Sequence, residues 1–521
     1  MKKLALISVY KKDGIVDFAS QLTEKYNYEI LSTGGTAELL RKSNIPVTEV
    51  SELTNYPEML EGRVKTLHPV VHAGLLARRD KPEHMQTIAK HKIRPIDLVV
   101  INLYPFEEVS SKPNVSLEEV IENIDIGGPS MIRSAAKNYP AVTVICDPFE
   151  YSLLFKEFSE NSGQTTLSFR EKQAAKAFER TSSYDMAITN FLSNCHKHSA
   201  NGAKGFFPDN ISLNLKLQRV LRYGENPHQK AALYLPLNSK AGLANAQLLQ
   251  GKELSFNNYL DLESAWNIAS EFNIQTPVAV IVKHNNPCGV AIAPDLCHAY
   301  AEAFNADSVS AFGGIVAFNG RVEANLADEL TKIFLEAVIA PDYSTEAIEL
   351  FKRKPNLRVL RITPATSQIN GLDIKSIGQG FLIQDINEKT LEQENLKIVT
   401  KKKPTEEQVL DLIFAWKVCK HVKSNAIVVA KEGKTIGIGA GQSNRVASVE
   451  IALNQANYNA KDAVLASDAF FPFKDSIEIA ASAKISAIIQ PGGSIKDQEV
   501  IDACDKYGIA MMFTGMRHFR H

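Results

Sequence analysis

An α/β fold divided into more than one domain is what this sequence predicts, and three observations carry that prediction. Short runs of Val, Ile and Leu alternate with helical patterns along the chain, the signature of a sheet flanked by helices. The 521 residues exceed what one hydrophobic core ordinarily serves, which favours several domains. Residues 193–210 (SNCHKHSANGAKGFFPDN) are polar, contain glycine and keep no period, so the main boundary falls there.

The first part opens with LALISV (4–9), followed by YEILST (28–33), DLVVIN (97–102) and AVTVIC (141–146), all read as strands. MKKLALISVYKKDG breaks into charge by Lys11 and lacks a small-residue cleavage site, so it reads as a first strand rather than a leader. A helix is expected over 170–192. Beyond the boundary VAVIV (278–282), AIVVA (426–430), AVLAS (463–467) and ISAII (485–489) resume the alternation. The stretch 362–404 carries weak signals, ends in Lys401, Lys402 and Lys403 before Pro404, and is expected to join two subdomains. The expected organisation is a domain over 1–197, a linker over 198–214 and a second domain over 215–521, with no short-period repeat.

Charge and cysteine usage exclude whole classes of partner. With 58 basic and 59 acidic residues the net charge is −1, so the broad attraction that nucleic acids or anionic membranes exploit is missing. No apolar stretch approaches the roughly 18 residues that a membrane span needs. Any anion must therefore be met by local groups. Six cysteines without a C-x-x-C pair fit reduced thiols in a cytoplasmic protein without disulfides.

Three segments of the first part carry chemistry. Ser32, Thr33, Gly34, Gly35 and Thr36 lie between a strand and a helix, where backbone N–H groups and hydroxyls receive phosphate, although such a turn alone also suits plain chain reversal. RVKTLHP (63–69) gathers Arg63, Lys65, Thr66 and His68 for a phosphate or an oxyanion; an exposed basic loop is the other reading. His68 and His72 stand four apart as zinc ligands can, but Pro69 opposes a helix there and no metal site is expected. IDIGGPSMIRSAAKN (124–138) opens a helix at Gly127 and Gly128 behind Asp125, and Tyr104 in NLYPF adds a phenol at the same sheet edge.

Taken in order, SVYKKDG, STGGT, EMLEGRVKTLHP, NLYPF and IDIGGPSMIRSAAKN resemble the cyclohydrolase half of the bifunctional AICAR formyltransferase/IMP cyclohydrolase family. The resemblance covers nearly all of residues 1–195 and implies a methylglyoxal-synthase-like α/β domain. It implies a nucleotide site built from Ser8, Lys11, Lys12, Thr33, Gly34, Gly35, Thr36, Arg63, Lys65, Thr66, Asn102, Asp125, Ile126 and Gly127. Lys65, Tyr104, Asp125 and Lys137 would then stand at the chemistry, the division between the two lysines being open. Attack of a carboxamide nitrogen on a formamido carbon in the same molecule needs proximity, an oxyanion partner and proton transfer, so no cofactor is expected there.

In the second part, Arg222 and Tyr223 of LRYGENPHQ pair a cation with a ring, an arrangement that also suits a surface turn. VAVIVKHNNPCG (278–289) stops a buried-type strand at Lys283 and His284, a pair that is costly to bury unless used. Cys288 invites a thiol-nucleophile reading, but no third group supports a triad, and His284 as base is preferred. IGIGAGQSNR (436–445) has the wrong spacing for a dinucleotide fingerprint, so no nicotinamide is expected.

RYGENPHQ, KHNNPCG, VSAFGG, GAGQSNR, SDAFFPF, PGGS and the terminal TGMRHFRH together resemble the formyltransferase half of the same family, over about 215–521. The resemblance implies tandem cytidine-deaminase-like α/β subdomains without their zinc, and the sequence lacks the H-x-E and P-C-x-x-C pattern that zinc deaminases carry. It places Arg222, Tyr223, His284, Gly313, Glu336, Asn425, Arg445, Phe470 and Arg517 around the ribonucleotide, and Asp475, Gln490 and Pro491 nearer the folate. His284 would take the amine proton while Lys283 and Asn425 steady the oxyanion. The cosubstrate would be 10-formyltetrahydrofolate, the other small molecules AICAR and formyl-AICAR, and the assembly a homodimer; the resemblance leaves room for a monovalent cation. Glu336 stands where some members have Asp, and the chain ends in RHFRH, departures that the resemblance tolerates; the lack of a long insertion between IGIGAGQ and SDAFFPF suggests a bacterial form. Two other readings remain: a nucleotide-binding regulator without turnover, which would need no Lys137, Lys283 or His284, and a methylglyoxal-synthase-like lyase with an unrelated second domain.

Overall fold

The computed structural model describes residues 2–199, 207, 210–236, 241–364 and 372–521, with the backbone alone at 194–199 and 393. They form two compact units that meet in sequence between Asn214 and Leu215.

In the first unit five strands, β1 (Lys3–Val9), β2 (Tyr28–Ser32), β3 (Val47–Glu49), β4 (Leu98–Asn102) and β5 (Thr143–Ile145), lie in the order β3-β2-β1-β4-β5. Every pairing is parallel. Alternate residues of β1 serve different cores: Leu4 and Leu6 pack with Met131, Ile132 and Ala135 on one face, Ala5, Ile7 and Val9 with Phe18, Leu22 and Leu154 on the other. A sheet buried on both faces explains why these strands read as continuous apolar runs. The three-residue strand VTE is too short to show a period, which is why sequence reasoning passed over it. Strand order reverses between β1 and β4, so a crevice opens beyond Val9 and Asn102, where ligands bind in such sheets.

The helix expected over 170–192 runs from Leu167 to Ser199. Polarity alone did not end it, because no Gly or Pro interrupts the chain before Gly202. The expected linker 198–214 thus begins helical, and its residues 200–206 and 208–209 lie outside those described, as do residues 365–371 of the expected joint at 362–404.

The second unit is built on one twelve-stranded sheet. Its order is Lys397–Ile398, Ala510–Phe513, Ala487–Gln490, Val464–Ser467, Ile427–Lys431, Lys434–Gly439, Asn286–Ile292, Val278–Lys283, Ile315–Phe318, Ala337–Ala340, Arg358–Arg361 and Gln247–Gln250. From its middle outwards each half repeats one plan. The helix Phe256–Ala269 leads to the hairpin Val278–Lys283/Asn286–Ile292, and the helix Glu406–Cys419 to the hairpin Ile427–Lys431/Lys434–Gly439. A helix follows each hairpin, then strands parallel to one another. The leading helices share the pattern L-D-L-x-x-A-W, in Leu260–Trp266 and Leu410–Trp416. They pack on one core that contains Val278, Val280 and Val282 from one half and Val428 and Ala430 from the other. The opposite face is divided into a separate core for each half.

Glycine serves the repeat at one kind of position. A Cβ on Gly289 would meet the carbonyl of Ala303, and one on Gly437 that of Ala452, so in both halves a strand glycine lets the following helix lie against the sheet. The repeat is too long in period and too sparse in identity for a short-window reading to find it. No helix among the described residues is long and apolar enough to cross a membrane.

Candidate active sites

At the crevice of the first unit the chain ends of β1, β2 and β4 are fastened together. Asn102 Oδ1 accepts the N–H groups of Tyr10 and Lys11 at 2.6 and 2.9 Å, and its Nδ2 donates to the Lys11 carbonyl at 3.0 Å. Thr36 Oγ1 donates to the Val9 carbonyl at 3.0 Å and accepts from Lys12 Nζ at 2.7 Å. Burial holds the Lys12 ammonium below the ordinary lysine range. Ser8 Oγ and Thr33 Oγ1 lie 3.0 Å apart. The helix Gly34–Lys42 therefore starts over a hydroxyl-lined cup; the Thr36 and Ala37 N–H groups donate to the Thr33 carbonyl, which leaves the helix end at Gly34 and Gly35 as the part suited to an anion.

The second wall is the start of the helix Gly127–Lys137. Asp125 Oδ1 accepts the Gly128 N–H at 2.8 Å, and the Asp125 N–H donates to Tyr184 Oη at 2.8 Å. Burial raises the Asp125 carboxyl above the usual range, against the pull of the Gly128 and Tyr104 N–H groups and the Lys65 charge. Lys65 Nζ lies 3.5 Å from Glu58 and close to Gly34, where a Cβ would approach it to 3.6 Å. Tyr104 packs edge-on against Tyr10 at 5.6 Å and remains partly exposed, as does Ile126. Thr66 is buried beside Gly127. Lys65, Tyr104 and the buried Asp125 carboxyl thus lie together near the start of the helix Gly127–Lys137.

In the second unit the corresponding concentration is at one end of the central strands of the sheet. Lys283 and Asn286 form the closing pair of a two-residue hairpin whose turn residues, His284 and Asn285, have φ of 53° and 62°. This left-handed geometry matches strand twist and is adopted most readily by glycine, with asparagine among the other residues that tolerate it. Lys283 Nζ donates to the Phe312 carbonyl at 2.8 Å, which puts Gly313 next to it. The Asn286 Oδ1 accepts the Lys423 N–H at 3.2 Å, bringing Asn425 to the same end. Asn425 Oδ1 accepts from Arg445 Nη2 at 2.8 Å, and Arg445 Nη1 donates to Ser467 Oγ at 2.8 Å and to Asp468 Oδ1. Arg445 and Asp468 are both buried. Burial pushes the Cys288 thiol up to about 12, which leaves it a poor nucleophile.

The pseudo-equivalent end in the other half lacks this equipment. Its hairpin turns on Glu432 and Gly433, and Leu296 opens the helix that Arg445 opens here. Asn319, in the place of Asp468, is engaged with Val278 N–H and with the carbonyls of Asn273 and Thr276.

Comparison with known sequences settles the family. The AICARFT/IMPCHase bienzyme family matches residues 135–455 and the MGS-like domain family residues 14–130. The chain is 51% identical over its whole length to the whole of the bifunctional purine biosynthesis protein PurH of Caldicellulosiruptor saccharolyticus. It is 52% identical to that of Listeria monocytogenes and 49% to that of Trichormus variabilis, again over all of both chains. The chain belongs to the AICARFT/IMPCHase bienzyme family. It transfers a formyl group from 10-formyltetrahydrofolate to AICAR and closes the product to IMP.

Several residues expected at the sites of this bienzyme are placed elsewhere or differently engaged. Lys137 ends the helix that Gly127 begins, so at 1.5 Å per residue it stands roughly 15 Å from the Asp125 cup, exposed and suited to the negative helix end. Lys11 Nζ turns to Glu108 at 2.8 Å, and Arg63 pairs with Glu122. Glu336 lies beside Gly313 but is paired with Arg358 at 2.7 Å. Gln490 is fully buried, its amide held by Phe471 N–H at 3.1 Å and by Met511, and the Pro491 carbonyl accepts the Gly515 N–H at 3.0 Å. Both support the loop from inside. Phe470, at the edge of the same loop, and Asp475, which opens the helix Asp475–Ser482, stay accessible. Arg517 lies 4.5 Å over Phe519, and Arg222 5.3 Å over Tyr223 in a turn tied to Asn257. Pro69 was expected to oppose a helix, but it opens one, Pro69–Leu76, because proline suits the first helical position; His68 caps it through Nδ1, and His72 Nδ1 lies 3.0 Å from Ser134 Oγ. Among the described residues no three His, Cys, Asp or Glu side chains gather as a metal-ligand set.

Sequence reasoning missed Asp261, Ser264, Ser424, Asp468 and Arg520, which organise the second site. The duplicated L-D-L-x-x-A-W pattern was the available signal for the first of them.

Proposed function

We propose that the two activities are divided between the units, cyclisation in 1–197 and formyl transfer in 215–521, with 198–214 as linker. In the first, Asp125 takes the proton from the carboxamide nitrogen of formyl-AICAR as it attacks the formamido carbon. Lys65 and Tyr104 stabilise the oxyanion, and water leaves as the ring closes. Ser8, Lys12, Thr33 to Thr36, Thr66, Asn102, Ile126 and Gly127 hold the nucleotide, whose phosphate suits the helix N-termini. The observation that supports this reading is the buried Asp125 carboxyl beside the start of the helix Gly127–Lys137, drawn on by the Tyr104 backbone N–H and the Lys65 charge.

In the second unit the AICAR amine attacks the formyl carbon of the donor. His284 removes the amine proton, Lys283 and Asn425 steady the tetrahedral oxyanion, and the folate nitrogen departs carrying a proton. Arg222, Tyr223, Gly313, Phe470 and Arg517 border the ribonucleotide, with Asp475 towards the folate. The supporting observation is the place of His284: it turns the hairpin between Lys283, whose Nζ donates to the Phe312 carbonyl beside Gly313, and Asn286, whose Oδ1 accepts the Lys423 N–H two residues before Asn425.

The paired helix–hairpin–helix halves support a tandem cytidine-deaminase-like description, with no zinc or nicotinamide used. A homodimer in the cytoplasm fits the two-stranded hairpin Leu372–Ile377/Gly380–Asp385, whose Ile377, Phe381 and Leu382 are exposed on an element too small to stand alone. Kinetics of His284→Ala and Asp125→Asn in each half-reaction test the assignment: each should abolish one activity and spare the other.

A further inference from the structure

Arg520 is the penultimate residue, yet its guanidinium and its backbone reach both halves of the second unit. Nη2 donates to Ser264 Oγ at 2.9 Å, and Nη1 donates to the His421 carbonyl. Its N–H donates to Ser424 Oγ at 3.0 Å, and its carbonyl accepts the Ser424 N–H at 2.9 Å.

Each partner leads to the formyl-transfer end of the central strands. Ser264 Oγ donates to Asn285 Oδ1 at 3.4 Å, one residue from His284, on the helix whose Asp261 also accepts the Asn285 N–H at 2.6 Å. Ser424 precedes Asn425, and its hydroxyl donates to Asp468, the carboxylate that holds Arg445. The chain from Asn285 through Ser264, Arg520, Ser424 and Asp468 to Arg445 and Asn425 is unbroken. The turn that carries the base and the strand end that carries the oxyanion partner come from different halves; Asn286 joins them through the Lys423 N–H, and Arg520 binds to both sides through the two ends of its guanidinium.

We infer that Arg520 is a positioning residue of the formyl-transfer reaction, setting the His284 turn and Asn425 in one frame without touching substrate. This rests on His284 and Asn425 being the reacting pair. A planar fork is needed, because two acceptors on different halves are met by two nitrogens of one rigid group, which lysine cannot reproduce.

The test uses the full chain with Arg520→Ala, Arg520→Lys and His284→Ala, measuring formyl transfer, AICAR dissociation constant and, as an internal control, cyclisation of formyl-AICAR. Both Arg520 variants should lose kcat of formyl transfer by about tenfold to a hundredfold, the scale of a small misplacement of reacting groups. Cyclisation and AICAR affinity should stay near the parent's, and guanidinium ion should restore part of the rate to Arg520→Ala but none to His284→Ala. A kcat near the parent's, a loss of AICAR affinity in step with kcat, or no guanidinium rescue would overturn the inference. Full formyl transfer by His284→Ala would instead remove the reading on which it rests.

Discussion

Asp261 and Asp411 hold two hairpin turns in the same way: Asp261 Oδ1 accepts the Asn285 N–H at 2.6 Å, and the Asp411 carboxylate accepts the N–H groups of Glu432 and Gly433, each at 2.8 Å. Only the first turn carries a histidine. Asp261→Ala should therefore slow formyl transfer, whereas Asp411→Ala should lower only stability, each change removing charge-assisted hydrogen bonds worth about 1.5–3 kcal/mol. Denaturant unfolding and formyl-transfer kinetics on the two variants check this pair. Equal effects on catalysis would show that the turn at His284 has no special role.

Asp125 gives a pH signature. Burial raises its carboxyl, so the proton-accepting form is populated only above the usual carboxylate range. The acid limb of the cyclisation rate profile should fall at a pH above that range and move down when burial is relieved, as by Leu103→Ala, whose side chain flanks Gly128 and Asp125. A limb at the pH of a solvated aspartate would contradict the assignment.

Lys137→Ala should leave cyclisation within about twofold of the parent, because a group that never meets the transition state contributes nothing to kcat. Lys65→Ala should lower it by about a hundredfold or more. Steady-state kinetics with formyl-AICAR separate the two lysines that sequence reasoning left undivided.

Glu271 accepts from Lys420 Nζ at 2.6 Å and from His421 Nε2 at 3.0 Å, joining the ends of the two duplicated helices. Burial would raise its carboxyl, but the hydrogen bonds and charges of His421 and Lys420 outweigh that and bring it down to about 2 from an ordinary 4.5. Because the folded value lies below the unfolded one, the contribution is complete above the unfolded value and is lost as pH falls towards about 2. Glu271→Gln should cost about 3–5 kcal/mol at neutral pH by leaving Lys420 unpaired and buried. It should also flatten the acid side of the stability curve, as urea unfolding across pH would record.

Four of the five strands of the first unit were legible because burial on both faces keeps them largely apolar, while Val47–Glu49 was too short, and Gly34 and Gly127 stood out as paired glycines that open helices. Position in a motif does not say which end of a helix Lys137 occupies, and an amide at a strand end such as Gln490 looks the same whether it faces a ligand or Phe471. Ser424, Asp468 and Arg520 were invisible for a different reason: they lie far apart in sequence and become one network only when the second unit closes. The long duplication hid behind its own divergence, with Trp266 and Trp416, the chain's two tryptophans, as its plainest trace.

The central claim, two chemically separate sites on one chain, is tested most directly by mixing His284→Ala with Asp125→Asn protein in AICAR and 10-formyltetrahydrofolate and following products by chromatography. The account predicts no turnover of AICAR by the first alone, accumulation of formyl-AICAR by the second alone, and IMP from the mixture. Loss of both half-reactions in either single variant, or a mixture that makes no IMP, would contradict it.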